Sequence, residues 1–192
     1  MKKIILCLFL VLSLCGCGST ATKTEEPTVP TFKYTQFASG GVSTELDAII
    51  LFENANSTFT RYQVSYTSCT CRDAASNYRS VVYVEILNTK NSADEALIRS
   101  ISFSTNDNYS VGFWGDSNPI YGKPEYTLEY LDENFIQKLV GLSKADFDNW
   151  EGYGKSLDGV DTLSGATVSC GNLISLLQGL MTYHGEKYYT NK

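Results

Sequence analysis

The chain has 192 residues, with 15 lysines and arginines against 21 aspartates and glutamates, a formal net charge of −6. No basic stripe runs through it, which argues against a nucleic-acid partner. A single histidine, and the lack of any His-Glu-x-x-His, P-loop or Gly-x-Ser-x-Gly string, exclude the commonest metal, nucleotide and acyl-transfer motifs.

Lys2 and Lys3 precede an apolar run from Ile4 to Leu14. That run is about half the length of a bilayer span, so it reads as an export signal outside the fold. Leu14-Cys15-Gly16-Cys17 looks like a bacterial lipobox: an aliphatic residue, a small residue, then cysteine. Residues 1–16 are therefore expected to be a lipoprotein signal peptide, with Cys17 as the lipidated N-terminus; ordinary secretion is the alternative. A lipoprotein cysteine carries two or three acyl chains, enough for stable anchoring in the bilayer. Loss of Lys2 and Lys3 takes the mature chain to about −8. Residues 17–31 (CGSTATKTEEPTVPT) hold almost no large apolar side chains and two prolines, and read as a flexible tether. Residues 32–192 are long enough for one domain with its own core.

Within that domain, Tyr62 to Tyr66 alternates as a strand does, and Ser80 to Leu87 (SVVYVEIL) reads as a buried strand. A polar turn, 88–94, leads to its expected antiparallel partner from Ala96 to Ser104. Residues 105–127 are rich in Gly, Asn, Pro and Tyr and read as a long loop, a length usually associated with function. Asp132 to Val140 is predicted as a short helix capped by Asp132. Ser143 to Trp150 opens with a capping-box pattern, Ser143 and Asp146. After a loop, the clearest helix runs from about Thr167 to His184, with Leu173, Leu176, Leu177, Leu180 and Met181 on one face. His184 reads as a cation at the negative end of that helix, and Tyr188 and Tyr189 as a frayed tail. Strands followed by helices predict an α+β fold: a small antiparallel sheet with a few packed helices in a single domain.

The string before the last helix is the informative one: DGVDTLSGATVSC, residues 158–170. Gly165 permits a backbone that a Cβ would block, and Ser164, Thr167 and Ser169 gather hydroxyls at a helix start. Unpaired N–H groups and the positive dipole end there favour an anion such as phosphate. A plain N-cap at Thr167 or Ser164 is the simpler reading.

Asp161-x-x-Ser164-Gly165-Ala166-Thr167 resembles the flavinylation motif, Asp-x-x-Ser/Thr-Gly-Ala-Thr/Ser, of the FMN-binding domain family. That family includes the FMN-carrying subunits of the sodium-pumping NADH:quinone oxidoreductase and of the Rnf complex. By average residue usage such a match arises by chance on the order of once in a thousand chains of this length. The resemblance implies FMN joined covalently to Thr167 through a phosphoester, installed by a separate flavin transferase that uses FAD and a divalent metal. Asp161, Ser164, Gly165 and Ala166 would then serve recognition and the turn, and Ser169 would bond the phosphate. Two departures stand out. The family's Glu-Thr-Pro-Gly-Leu-Gly-like segment is missing; VGFWGDSNPIYGKPEY, residues 111–126, stands in its place, so the ring contacts do not carry over, and for Trp114 and Tyr121 a surface or core role is the simpler reading than a ring contact. The second is Cys69-Thr70-Cys71.

With Cys170, these are the cysteines left besides the anchor, and they are candidates for a redox role near the flavin, with a structural disulfide or plain buried thiols as the alternatives. Cys170 follows Thr167 by about one turn, so it is expected to face roughly the same way, at the rim of the flavin site. Zinc would need more ligands than this chain offers, and no metal is expected. The function that follows is an extracytoplasmic, membrane-anchored electron carrier exchanging electrons with a membrane or extracellular redox partner. The alternatives are a flavin-dependent reductase of a small acceptor, and a non-redox envelope-binding lipoprotein.

Overall fold

The computed structural model describes residues 28–68, 79–103, 128–163 and 166–190. Five strands form one antiparallel meander in the order β1-β2-β3-β4-β5: β1 Thr31–Phe37, β2 Ser43–Ala55, β3 Phe59–Thr67, β4 Arg79–Leu87 and β5 Ile98–Phe103. Three helices follow: α1 Leu128–Asn134, α2 Lys144–Asp148 and α3 Thr167–Tyr189. This is the expected α+β class.

Strand periodicity explains the layering. β3 and β4 bury every second side chain, Tyr62, Val64 and Tyr66 beside Val82, Val84 and Ile86, with Val64 paired to Val82 in register. The opposite face carries charge: Glu85 bridges Arg61 and Arg99, and both guanidinium groups lie over the Phe59 ring. A bulge between Ile50 and Phe52 in β2 turns Leu51 and Phe52 outward.

α3 lies on the apolar face and is more enclosed than one apolar stripe predicts. Every residue from Cys170 to Leu177 is buried, because the sheet covers one side and Phe135, Ile136, Leu139 and Phe147 belong to the same core. The helix also closes the sheet edge at β1. Thr35 N–H donates to Ser175 Oγ at 2.8 Å and Phe37 N–H to Asn172 Oδ1 at 2.6 Å. Asn172 Nδ2 donates in turn to the carbonyls of Phe37 and Ser68. An edge strand that would otherwise show a row of open donors is thus answered by helix side chains. Gly179 makes the approach possible: a Cβ there would stand 2.3 Å from the Lys33 carbonyl oxygen.

Several sequence expectations change. β1 and β2 were not anticipated, and β1 begins at the last residue assigned to the tether. Asp132 lies inside α1 rather than capping a helix from 132; its carboxylate accepts from Gln137, and Ile136–Leu139 form a short 3-10 turn. The Ser143–Asp146 capping box is present and opens α2. His184 is not at the helix terminus. It is buried, with Nδ1 2.8 Å from the Tyr62 hydroxyl, and α3 continues beyond it to Tyr189. Tyr188 and Tyr189 are not frayed either: Tyr188 donates to Glu53 and Tyr189 to the Leu87 carbonyl.

Candidate functional site

The approach to α3 starts with a tight two-residue turn. Leu157 and Val160 exchange backbone bonds at 3.0 and 2.8 Å around Asp158 (φ 44°) and Gly159 (φ 78°). Positive φ at both central positions is the type I′ hairpin signature, and Asp-Gly is the pair that tolerates it. Leu157 and Val160 are buried, so the turn is pinned to the core, while Asp161 beyond it is exposed. Leu163 then folds the chain back: its carbonyl accepts from Ala166 N–H at 2.9 Å and sits 3.5 Å from Thr167 Oγ1.

Ala166 is the N-cap of α3, with no side-chain cap bond and no acidic residue in the first turn. The plain-cap reading of Thr167 therefore does not hold, since Thr167 is the first helical residue and its hydroxyl caps nothing. Thr167, Val168 and Ser169 are half-buried. A helix start without a side-chain cap or an acid keeps its positive dipole end available to an anion. Ser164 and Gly165 lie outside the described residues, as do Cys17, Cys69, Cys71, Trp114 and Tyr121.

Cys170 departs from expectation. Although one turn from Thr167, it points into the core and is fully buried, with a free thiol. Cys69 and Cys71, its candidate disulfide partners, lie outside the described residues. Burial pushes its pKa up to about 12, only slightly opposed by hydrogen bonding to the backbone near Leu163, so little thiolate exists at neutral pH. A redox thiol at the rim of the site is not what this geometry provides. Near it lies Tyr66, whose buried hydroxyl finds no partner among the described residues; burial holds its pKa well above the ordinary phenol value.

Sequence reasoning missed a group of aromatic rings beside the same helix end. Phe37 meets Trp150 edge-on at 5.9 Å between centroids and Tyr153 at 5.4 Å. All three rings reach Gly171, where a Cβ would touch Phe37 and Tyr153 at 3.6 Å and Trp150 at 4.0 Å. Tyr153 is also tight against Gly41, 3.2 Å from the position of a Cβ. Trp150 Nε1 donates to the Lys155 carbonyl at 3.1 Å and closes the loop between them. The Gly-Tyr-Gly of residues 152–154 was the available signal, because both glycines take positive φ.

A separate cleft of about 480 Å3 runs between β1 and the C-terminal half of α3. Lys33, Glu45, Asp148 and Glu186 rim it. Acidic side chains outnumber the one lysine there, and the cleft is distant along α3 from Thr167. No helix among the described residues is long and apolar enough to cross a membrane. Comparison with protein-family models found no match, and neither the curated proteins nor the solved structures gave one.

Proposed function

We propose that this chain is an extracytoplasmic flavoprotein electron carrier, anchored by lipid at Cys17 and carrying FMN as a phosphoester of Thr167. The observation that carries the reading is the Thr167 hydroxyl: half-exposed, at the start of a deeply buried helix, and not used as a cap. The residues present fit a phosphate-linked group. The first turn of α3 offers donors and a positive dipole end without an opposing carboxylate. The bound flavin would supply the redox chemistry, while the protein fixes its place.

In attachment, Thr167 supplies the oxygen. On this reading its oxygen would bond the FMN-side phosphorus of FAD as the bond to the AMP moiety broke, with the hydroxyl proton taken up by the flavin transferase. A threonine hydroxyl is a weak nucleophile by itself, and among the described residues the bond given for Thr167 Oγ1 is to the Leu163 carbonyl, so activation would fall to the transferase. Ser169, in the first turn of α3, would bond the phosphate on this reading. Asp161, exposed on the approach loop, suits recognition by the transferase.

The test is coexpression with a flavin transferase followed by intact mass and denaturation. The unsubstituted chain is expected to gain the mass of FMN and stay yellow when unfolded. Thr167→Ala should abolish the addition with the fold unchanged by circular dichroism, and Thr167→Ser should retain part of it. Flavin surviving denaturation in the Ala variant would remove Thr167 from the role.

A further inference from the structure

We infer that Trp150 and Tyr153 form the platform on which a flavin held at Thr167 rests its isoalloxazine ring. The inference rests on the Thr167 reading and adds ring-binding residues that the sequence did not reveal. Three observations carry it. Thr167 and Gly171 stand four residues apart on α3, so they share a face about one turn, or 5.4 Å, apart. Phe37, Trp150 and Tyr153 converge on Gly171, and the missing side chain there lets the rings approach the helix. Phe37 is buried and serves as the floor, whereas Trp150 and Tyr153 remain half-exposed.

Such half-covered rings, fixed in orientation, suit a flat aromatic guest. Tyr153 is wedged between Gly41 and Gly171, and Trp150 is tied to Lys155 by its indole N–H. Neither ring has to be ordered on contact, which lowers the entropic cost of docking a ligand. A flavin linked at Thr167 is attached through a ribityl chain longer than one helical turn, so its ring can reach across to this surface. Offset or edge-on contact with a second π-system is the favoured geometry for these side chains.

Flavin fluorescence reads the contact directly, because a touching indole or phenol quenches the excited ring by transient electron donation. Protein flavinylated by coexpression is counted for flavin by intact mass, and emission per flavin is compared among variants. The unsubstituted protein should be strongly quenched. Trp150→Leu and Tyr153→Leu should each brighten it as the docked population falls, roughly tenfold in the docking equilibrium for one stacking partner. Trp150→Phe preserves the packing against Phe37 and should brighten less; it decides the matter if the leucine variant does not fold. Tyr83→Leu, on the outer sheet face, should change nothing. Flavin present at full mass with unchanged emission in the Trp150 and Tyr153 variants overturns this inference alone. Lack of the flavin mass in the unsubstituted protein overturns the Thr167 reading, and this inference with it.

Discussion

Glu53 is held by three donors that all come from α3. Lys187 Nζ and the Tyr183 hydroxyl donate to one carboxylate oxygen at 2.7 and 3.1 Å, and the Tyr188 hydroxyl to the other at 2.6 Å. Burial alone would raise the Glu53 pKa, but these donors together outweigh it and hold the carboxyl below its ordinary value. Burial, then the nearby carboxylate, pushes Tyr188 up to about 12. A depressed folded pKa means that the group's contribution is complete above its unfolded value of 4.5 and is lost as pH falls through the folded pKa. Glu53→Gln should therefore lower the melting temperature at neutral pH, and the gap from the parent should close as acid protonates Glu53. Hydrogen bonds to a charged group contribute about 1.5–3 kcal/mol, and with Lys187 45 % exposed the lower end applies. At roughly 2–4 °C per kcal/mol the shift is about 3–6 °C. A gap that persists unchanged at pH 2 would mean that the carboxylate's charge is irrelevant there. Glu85, also depressed by Arg61 and Arg99 against the cost of burial, gives the parent a second acid-sensitive group that the variant retains.

α3 and β1 run side by side in opposite directions, Asn172 by Phe37, Ser175 by Thr35 and Gly179 by Lys33. Two substitutions test this seam. Asn172→Ala leaves the buried Phe37 N–H without its acceptor and takes one donor from the Phe37 and Ser68 carbonyls, the first of which keeps the Gln36 amide. A buried group left unsatisfied costs about 1–3 kcal/mol, so a loss of that order is expected in urea unfolding. Gly179→Ala sets two effects against each other. Alanine favours the helix by about 1 kcal/mol, but its Cβ would meet the Lys33 carbonyl oxygen at 2.3 Å, and backbone cannot move aside cheaply. Overpacking of about 1–3 kcal/mol should win, giving net destabilisation. An unchanged or raised midpoint would show that the strand gives way freely. This seam is also what the sequence concealed. β4 and the α2 capping box were readable because their signals are local: a β-branched run and a four-residue box. β1 and β2 were not. β1 alternates, with Phe32 and Tyr34 buried about exposed Lys33, but it is short and abuts the tether, β2 is interrupted by its bulge, and the stability of both comes from partners far along the chain. Thr167 could be picked out from its neighbours in sequence. Trp150 and Tyr153 could not, because only the folded chain brings them to Phe37 and Gly171.

At the scale of the molecule, the placement of two chain segments bears on the proposed electron-carrier role. The domain's first strand starts at Thr31, beside the C-terminal half of α3, and Thr167 lies near the other end of that strand. Seven residues of strand place the two about 20 Å apart, so the proposed flavin site sits away from where the chain enters the domain. Residues 18–30 can reach at most about 45 Å, which keeps the site within range of a partner in the same membrane. On the proposed reading the lipid at Cys17 is the whole anchor. No helix of the described domain can span a bilayer, and a mature charge near −8 gives no electrostatic hold on an anionic surface. Two or three acyl chains at about 0.8 kcal/mol per buried methylene suffice alone. High-salt washing should therefore leave the protein in the membrane fraction, and detergent should release it. Cys17→Ser should end incorporation of a fatty-acid label, and the protein should be either released or held back with its first 16 residues uncleaved, which intact mass distinguishes. Label entering the serine variant would show that Leu14-Cys15-Gly16-Cys17 was misread as a lipobox, and salt release of the parent would show that charge, not lipid, holds it.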